Sequence, residues 1–350
     1  MTSVDSLVCI VRNEPAVSDI KRFWLGFDLG GTKMLSVLFD DEFQVVVRKR
    51  KKTKGMEGVV SGQERIADLI QETLTDANIS IDQLAGIGIG CPGPIELETG
   101  IVCIAPNLGW RRVAIGEFLS KKFLCPVRVV NDVDAGVYGE YRFGSAMNAF
   151  CVVGVFPGTG IGGGCVHDGR ILRGMRLSAM EVGHMKIAST SRSSGVDMPG
   201  TLECEASRLS IAAECAKLAY RGEAPELLKL GGMDIANIRS KTISQAIKNG
   251  DKSVERVVRL AAQQVGYGVA NIVHLLSPDV IILGGGLVEA VPEIYLEEVR
   301  KIAKKSVMEC YEDTFDVRVA ALGDDAGAMG AAAWAAKNIS TQAEKVGAVV

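Results

Sequence analysis

The sequence lacks several features that would assign it to a familiar class of protein. Its nine cysteines include no C-x-x-C pair, and an odd number cannot all pair within one chain, so we expect no disulfide framework. No apolar run reaches the roughly 20 residues that span a bilayer, and residues 1–21 do not resemble a signal peptide. These absences predict a soluble protein of a reducing compartment, the cytoplasm, with an N-terminal extension at residues 1–22.

Neither sign of charge dominates the composition. The chain has 39 lysines and arginines against 42 aspartates and glutamates, a net charge of −3. This balance argues against nucleic acid or an anionic membrane as a partner. One basic run, residues 48–54, is an exception. We interpret it as the solvated end of an outer strand, the alternative being a local nucleic-acid site.

The chain also lacks the G-x-x-x-x-G-K-[ST] sequence of P-loop proteins, so bound phosphates must be held in another way. A glycine-rich turn between two strand-like runs, residues 24–27 and 34–39, offers one. Glycines let backbone N–H groups approach an anion, and the threonine and lysine that follow add a hydroxyl and a cation. An ordinary hairpin is the alternative. The candidate phosphate-binding residues are Gly30, Gly31, Thr32 and Lys33, and Asp28 is placed to hold a metal ion through water.

A second glycine cluster, residues 158–164, repeats this order between strand-like residues 150–156 and 165–170. It matches the G-x-G-x-x-G pattern, as do residues 88–93. A dinucleotide-binding fingerprint opens a helix, however, whereas one match runs into a strand and the other into Pro94. Two such units suggest duplicated lobes that share one nucleotide, a layout that resembles the actin-like sugar kinases. The candidate residues of the second turn are Gly158, Thr159 and Gly160.

Strand-like and helical stretches alternate along the chain, which predicts an α/β fold with ligands at the carboxyl ends of its strands. We expect two actin-like (ribonuclease-H-like) lobes with a ligand cleft between them. The small lobe comprises residues 23–131 and a C-terminal helix at about 326–340, and the large lobe comprises residues 132–325. The predicted helices are residues 58–77, 135–141, 202–220, 243–248, 253–276 and 324–337, and strands are predicted at 43–52, 85–90, 127–130 and 280–283.

Two further positions suggest chemistry. Phosphoryl transfer to a sugar needs a carboxylate to receive the hydroxyl proton. Asp132 follows a predicted strand and would face the cleft, although it could instead be the N-cap of the next helix. A strand also ends at three glycines, which leave space for a flat ring or a ribose; the alternative is a plain strand-to-helix turn. These glycines are Gly284, Gly285 and Gly286.

The ordered set of motifs resembles the ROK family of bacterial sugar kinases and repressors, most closely its glucokinases. The resemblance runs from about residue 23 to residue 336. The motifs that carry it are residues 28–33, 91–94, 106–108, 131–132, 158–163, 181–184, 202–203 and 283–286.

This resemblance implies a homodimeric kinase that uses ATP and Mg²⁺ and phosphorylates the 6-hydroxyl of glucose or a related hexose. Mannose, N-acetylmannosamine or fructose as substrate, and polyphosphate as donor, are alternatives. A sugar-responsive repressor is another, although about twenty residues precede the first strand, too few for a winged-helix domain. The resemblance makes Asp132 the general base, and the residues that it implies for sugar binding are Asn107, Asn131, Asp132, Glu181, His184 and Glu203. His184 alone would be interpreted as a core histidine.

The sequence departs from the family pattern at one place. Most members carry a zinc loop with three cysteines and the histidine of the preceding motif. Here the three cysteine positions fall on Ser194, Val196 and Thr201, so we expect no structural zinc. Cys204 lies outside the pattern and is interpreted as a small buried residue.

Overall fold

The computed structural model of the chain describes residues 22–347 except 97, 176, 178 and 189–197, with the backbone alone for residues 341–347. Within this part the α/β class predicted from the sequence is confirmed. The described strands form two five-stranded sheets and one small sheet. In chain order they are β1 (Phe23–Leu29), β2 (Lys33–Phe39), β3 (Val45–Lys52), β4 (Leu84–Cys91), β5 (Ile95–Glu96), β6 (Ile101–Ala105), β7 (Trp110–Val113), β8 (Val127–Asn131), β9 (Cys151–Pro157), β10 (Ile161–His167), β11 (Arg170–Ile171), β12 (Val280–Leu283) and β13 (Asp316–Val319).

The first sheet has the order β3-β2-β1-β4-β8. The predicted hairpin is present as the antiparallel pair β1 and β2, while β4 runs parallel to both β1 and β8. The register pairs Asp28 with Gly90 and Cys91 with Asn131. The carboxyl ends of three parallel strands therefore meet at one edge, which is where ligands bind in α/β sheets.

The second sheet, β11-β10-β9-β12-β13, repeats this arrangement. Its hairpin, β9 and β10, surrounds the second glycine cluster as predicted, and β12 runs parallel to β9 and β13. The strands β9 and β12 are almost entirely buried and read as continuous apolar runs, as expected for strands covered on both faces. The small antiparallel sheet β5-β6-β7 was not predicted, because two of its strands have fewer than five residues.

The helices cover both sheets, and none in the described part is long and apolar enough to cross a membrane. The predicted helix 202–220 is wrong as one element: Ser207 leaves the helical conformation, and its hydroxyl accepts from the Ser210 N–H and so caps a new helix. The helices are α1 (Val59–Ala77), α2 (Ile115–Phe123), α3 (Asp132–Phe143), α4 (Leu202–Ala206), α5 (Arg208–Tyr220), α6 (Pro225–Gly231), α7 (Ser240–Lys248), α8 (Lys252–Leu276), α9 (Gly286–Ala290), α10 (Pro292–Ser306) and α11 (Ala326–Gly347).

The C-terminal helix α11 returns to the first sheet, as predicted. It lies so close that a Cβ on Gly88 would come within 1.9 Å of the Ala331 carbonyl oxygen, and one on Gly26 within 2.0 Å of the Ala328 carbonyl oxygen. Only glycine permits this approach without a backbone shift. The contact brings the start of α11 beside the carboxyl end of β1.

The basic run lies on β3, an outer strand as predicted. Successive side chains of a strand point to opposite faces, so the arginines and lysines of this run separate. On one face Arg50 binds Asp324 at 2.7 Å and Arg48 binds Asp325. On the other face Lys49 binds Asp76 of α1 at 2.8 Å. The charge of the run is therefore largely neutralised by acidic residues of the same chain.

Candidate active site

A cavity of about 250 Å³ opens at the carboxyl ends of β1 and β8. It is bounded by both sheets and by the segment that leads into α11. Two predicted site carboxylates, Asp28 and Asp132, line it together, and so does Gly30 of the first glycine turn. The other lining residues are Val133, Gly136, Phe156, Gly285, Glu289, Ala320, Gly323, Asp324, Ala326 and Gly327.

Asp28 lies at the end of β1 against the first turn of α11, where a Cβ on Gly327 would be 3.0 Å from its Cγ. Burial, and then the negative charges of Asp132 and Asp324, raise the pKa of Asp28 to about 7, and Arg50 partly opposes them. The carboxylates thus repel one another, with Asp28 and Asp132 partly buried and the Asp324 side chain 71% exposed. A bound cation would relieve this repulsion.

This donor set suits Mg²⁺, which prefers carboxylate oxygens and keeps several waters. Four carboxylates line the cavity, yet the residues in the described ranges contain no group of three or more acidic, histidine or cysteine side chains close enough to hold a metal ion by themselves. Phosphate oxygens and water would have to complete the coordination. Asp28 and Asp324 are the residues that could hold such an ion.

Asp132 is the first residue of α3, and its interpretation as the N-cap is wrong because Asn131 is the cap. The Asn131 side-chain oxygen accepts from the N–H groups of Val133 (2.9 Å) and Asp134 (3.2 Å), and its amide donates to the Gly93 carbonyl (3.2 Å). Burial raises the pKa of Asp132 to about 6, assisted by Glu181 and opposed by backbone hydrogen bonds. Asn131 thus holds the backbone while the neighbouring carboxylate faces the cavity.

The first glycine turn is held by Thr53, which follows β3. The Thr53 hydroxyl donates to the Gly30 carbonyl at 2.6 Å, and its N–H donates to the Thr32 carbonyl at 2.9 Å. A Cβ on Gly31 would lie 3.4 Å from the Cβ of Asn107, so this sugar candidate stands beside the turn. Gly31, Thr32, Lys33 and Asn107 are all exposed.

The second glycine turn is held by α4 and α5. Glu203 of α4 accepts from the Ile161 N–H at 3.0 Å, and its carboxylate occupies the space where Gly160 lacks a side chain. Arg208 of α5 donates from its guanidinium to the Thr159 hydroxyl at 3.1 Å and from its backbone to the Gly158 carbonyl at 2.9 Å. A sugar candidate, Glu203, thus touches a phosphate candidate directly.

Glu181 and His184 lie in a short 3-10 turn packed on β10, where a Cβ on Gly183 would be 2.1 Å from the Ile161 carbonyl oxygen. The His184 Nε2 is 4.0 Å from the Glu181 carboxylate. The His184 Nδ1 is buried, and no residue of the described part hydrogen-bonds to it. Among the sugar candidates, Asp132 lines the Asp28 cavity; Asn107, Asn131, Glu181, His184 and Glu203 do not.

The three glycines after β12 have different surroundings. The ring of Phe156 lies against Gly284, where a Cβ would come within 2.4 Å of it, so a flat ring does rest there, but it belongs to the protein. Gly285 has φ +83° and lines the Asp28 cavity. Gly286 begins α9, with the Ser240 hydroxyl 3.5 Å from the position of a Cβ.

Of the three positions that replace the zinc cysteines, Ser194 and Val196 lie outside the described residues. The third, Thr201, is the N-cap of α4, and its hydroxyl accepts from the Cys204 N–H at 3.4 Å. Cys204 is buried, as interpreted from the sequence, and its thiol donates to the Met198 carbonyl at 3.1 Å.

Several residues in or next to the site were not identified from the sequence. Asp324 lines the cavity because α11 returns to β1, and a pair of aspartates before an alanine-rich helix was its available signal. Asp134 is fully buried without a hydrogen-bond partner on either carboxylate oxygen among the described residues, and burial, then Asp132 and Glu181, raise its pKa well above the usual range. Glu289 and Arg208 carried no motif that would have distinguished them.

A larger cavity of about 570 Å³ lies apart from these residues, between the small sheet and a segment formed by residues 173–175 and 177. Glu96 binds Arg112 at its wall at 3.0 Å, and Met175 is fully exposed at its rim. None of the predicted site residues lines it.

Comparison with known proteins identifies the family. The ROK family model matches residues 24–338. A glucokinase of Halalkalibacterium halodurans is 29% identical over 328 residues, 93% of this chain and 98% of the relative. A xylose repressor of Caldicellulosiruptor bescii is 29% identical over 306 residues, 87% of this chain and 76% of the relative.

A solved structure supports the same assignment. A ROK family glucokinase from Streptomyces griseus, in complex with glucose and AMPPNP, superimposes with a TM-score of 0.78 at 28% identity, covering 90% of this chain and 99% of that one. The resemblance inferred from the ordered motifs is thereby confirmed, together with the actin-like α/β fold. The chain belongs to the ROK family.

Proposed function

We propose that the protein is a sugar kinase that transfers the γ-phosphoryl group of ATP to the 6-hydroxyl of glucose. The observation that carries the proposal is the position of Asp132. Asp132 lines a cavity together with Asp28 and with Gly30 of the first glycine turn. The negative charge of Glu181 contributes to the raised pKa of Asp132. These neighbours support a role for Asp132 beside both the donor and the acceptor.

The state of Asp132 suits a general base. With a pKa of about 6 it is mostly ionised at neutral pH, yet it is basic enough to accept a proton in the transition state. A positioned base of this kind contributes about 10²–10⁴-fold to rate. Asp132 accepts the proton of the sugar hydroxyl as that oxygen attacks the phosphorus.

The donor lies between the two glycine turns in this proposal, with its phosphates on Gly30–Lys33 and Gly158–Gly160 and its adenosine near Gly285 and Gly286. Mg²⁺, held through water by Asp28, would neutralise charge on the phosphates. The role of this chain is to position the reactants and to exclude water from them. The sugar would be oriented by carboxylates and amides that accept from its hydroxyl groups, with Asn107, Glu181, His184 and Glu203 as ligands.

A sugar-responsive regulator is the second candidate, favoured by the similarity to the xylose repressor. A regulator needs the sugar-binding carboxylates but no base beside the phosphate turns. The candidates are distinguished by turnover, since a regulator would bind sugar without releasing ADP.

A panel of sugars with ATP and Mg²⁺, monitored by coupled ADP release, tests the proposal. The panel contains glucose, mannose, N-acetylmannosamine, fructose and xylose. We expect glucose to give the highest kcat/KM. If no sugar releases ADP above the water background while ATP binds, the kinase proposal is wrong. If another sugar exceeds glucose by about tenfold in kcat/KM, only the substrate is wrong.

The lobe boundary near residues 131–132, the homodimer and the cytoplasmic location are also proposals. Light scattering on the purified protein tests the dimer, and scattering curves with and without saturating glucose test whether two lobes close on the sugar.

A further inference from the structure

Two arginines flank the region proposed for the donor. Arg208, the first residue of α5, is fixed on the second glycine turn by its bonds to the Gly158 carbonyl and the Thr159 hydroxyl, at 2.9 and 3.1 Å. Its side chain is only partly exposed. The guanidinium therefore lies beside the turn and does not extend freely into solvent.

The second arginine, Arg239, lies on another element. It is the N-cap residue of α7, a helix tied to α9 by a 2.7 Å hydrogen bond from the Ser244 hydroxyl to the Ala290 carbonyl. Ser240, the next residue, stands 3.5 Å from the position of a Cβ on Gly286. Arg239 thus lies at the start of α9, beside the glycines proposed for adenosine.

The second glycine turn and the start of α9 are in contact, because a Cβ on Gly285 would lie 2.9 Å from the Pro157 carbonyl oxygen. Burial, followed by the positive charge of Arg239, lowers the pKa of Arg208. In the described ranges neither arginine forms an ion pair with a carboxylate, whereas Arg259 binds three glutamates, Glu255, Glu297 and Glu298. Two neighbouring cations without an internal counterion repel each other, and an anion that bridged them would remove that repulsion.

We propose that Arg208 and Arg239 bind the phosphate chain of the phosphoryl donor, between the second glycine turn and the start of α9. This inference rests on the proposed function, because that function places the donor there. The ligand class is a linear chain of phosphates, whether part of a nucleoside triphosphate or inorganic polyphosphate. The planar forks of two arginines match several phosphate oxygens at once, which a single lysine cannot do.

Calorimetry on the full chain with Mg²⁺ tests this inference, using ATP, adenosine and tripolyphosphate as separate ligands. The variants are Arg208→Gln, Arg239→Gln and the double variant. Arg221→Gln, at the exposed far end of α5, is the matched control. We expect about tenfold weaker ATP binding for each single variant and about 100-fold for the double variant, because each substitution removes charge-assisted hydrogen bonds to phosphate oxygens. Adenosine binding and the control variant should not change.

The titration with tripolyphosphate distinguishes the two possible ligands, a nucleoside triphosphate and inorganic polyphosphate. Binding by the parent that is lost in the double variant indicates that the arginines recognise the chain without a nucleoside. Weakening confined to ATP assigns them to a nucleoside triphosphate. An Arg208→Lys variant that binds ATP with intermediate affinity would support the fork geometry and would exclude misfolding as the cause.

The inference is overturned if the double variant binds ATP within about twofold of the parent, or if the parent binds neither ATP nor tripolyphosphate. The first outcome is independent of the kinase test, whereas a parent that binds no ATP would also contradict the proposed function. Weaker ATP binding in the variants without turnover of any sugar supports the inference and contradicts the proposed function. Sugar turnover by the parent, with unchanged ATP binding in the variants, supports the proposed function and contradicts the inference.

Discussion

The two glycine turns share a strand–turn–strand form, but they are held by different chemistry. The first is fastened by neutral hydrogen bonds from Thr53, and it lies beside Asp28 in a cavity lined by carboxylates. The second is fastened by the charged side chains of Glu203 and Arg208.

This difference suggests that the two turns bind different parts of the donor. The acidic surroundings of the first turn suit a metal ion, whereas Arg208 beside the second turn suits phosphate oxygens directly. Glu203 adds a hydrogen bond between the second turn and the proposed sugar site, whereas the sugar candidate beside the first turn, Asn107, lies next to Gly31. Binding of sugar and of donor should therefore depend on each other mainly through the second turn.

The largest effect is expected at Asp132, between the two turns. Asp132→Asn keeps the shape of the side chain but removes the proton acceptor, so kcat should fall about 10²-fold or more with a smaller change in KM. Asp134→Asn is the matched control: it changes a buried neighbouring carboxyl outside the proposed chemistry, and steady-state activity should stay within about fivefold of the parent. Equal losses in both variants would contradict the assignment of the base.

The next largest effect is expected at Asp28, beside the first glycine turn. Asp28→Asn should weaken the apparent affinity for Mg²⁺·ATP about tenfold or more and lower kcat, because the proposed partner is the metal shell. Titration of initial rates with Mg²⁺·ATP measures both. Normal nucleotide saturation in this variant would remove Asp28 from the metal site.

Asp28 also makes stability depend on pH. Its pKa rises from 3.8 to about 7 on folding, so its contribution to the free energy of unfolding is fully present below pH 4 and is lost as pH rises to about 7. Asp28→Asn should flatten this part of the profile and raise the melting temperature above that of the parent at pH 8. Parallel profiles for parent and variant would show that burial leaves this carboxylate unperturbed.

A smaller effect is expected at Glu203, on the second turn. Glu203→Gln removes a charged acceptor, which is worth about 1.5–3 kcal/mol, so KM should rise about tenfold for both sugar and ATP. The joint change is the signature of the shared carboxylate. A rise in the KM for sugar alone would break the proposed connection.

The smallest effect is expected at Thr53, on the first turn. Thr53→Val removes a neutral hydrogen bond, worth about 0.5–1.5 kcal/mol, and the KM for ATP should rise only a few-fold while that for sugar is unchanged. Comparing these KM values with those of Glu203→Gln measures the difference between the turns.

The features that could be predicted from the sequence are local. Both hairpins follow from apolar runs broken by glycines, and α8 follows from its 3.6-residue periodicity. The helix break at Ser207 depends on a single side-chain hydrogen bond. It was not predicted because the apolar periodicity continues through residues 202–220. The short helix α6 and the strands β5 and β7 have too few residues for a period to emerge.

The surroundings of the site could not be predicted in the same way. Asp324 lies near Asp28 because the C-terminal helix α11, which follows it, packs on the first sheet. Arg208 contacts Thr159 because the start of α5 packs on the second turn. Such contacts join distant segments and leave no periodic signal. The motif residues that sequence reasoning did select, Asp28 and Asp132, are the ones whose environment the distant residues then determine.

The most direct test of the account is the identity of the product. The protein is incubated with ATP, Mg²⁺ and glucose and followed by phosphorus NMR, with Asp132→Asn in parallel. We predict a single phosphomonoester resonance coupled to the protons on carbon 6 of glucose, equimolar with ADP, and none above background in the variant over the same time. Glucose left unchanged while ATP is bound, or inorganic phosphate as the product, would contradict the account.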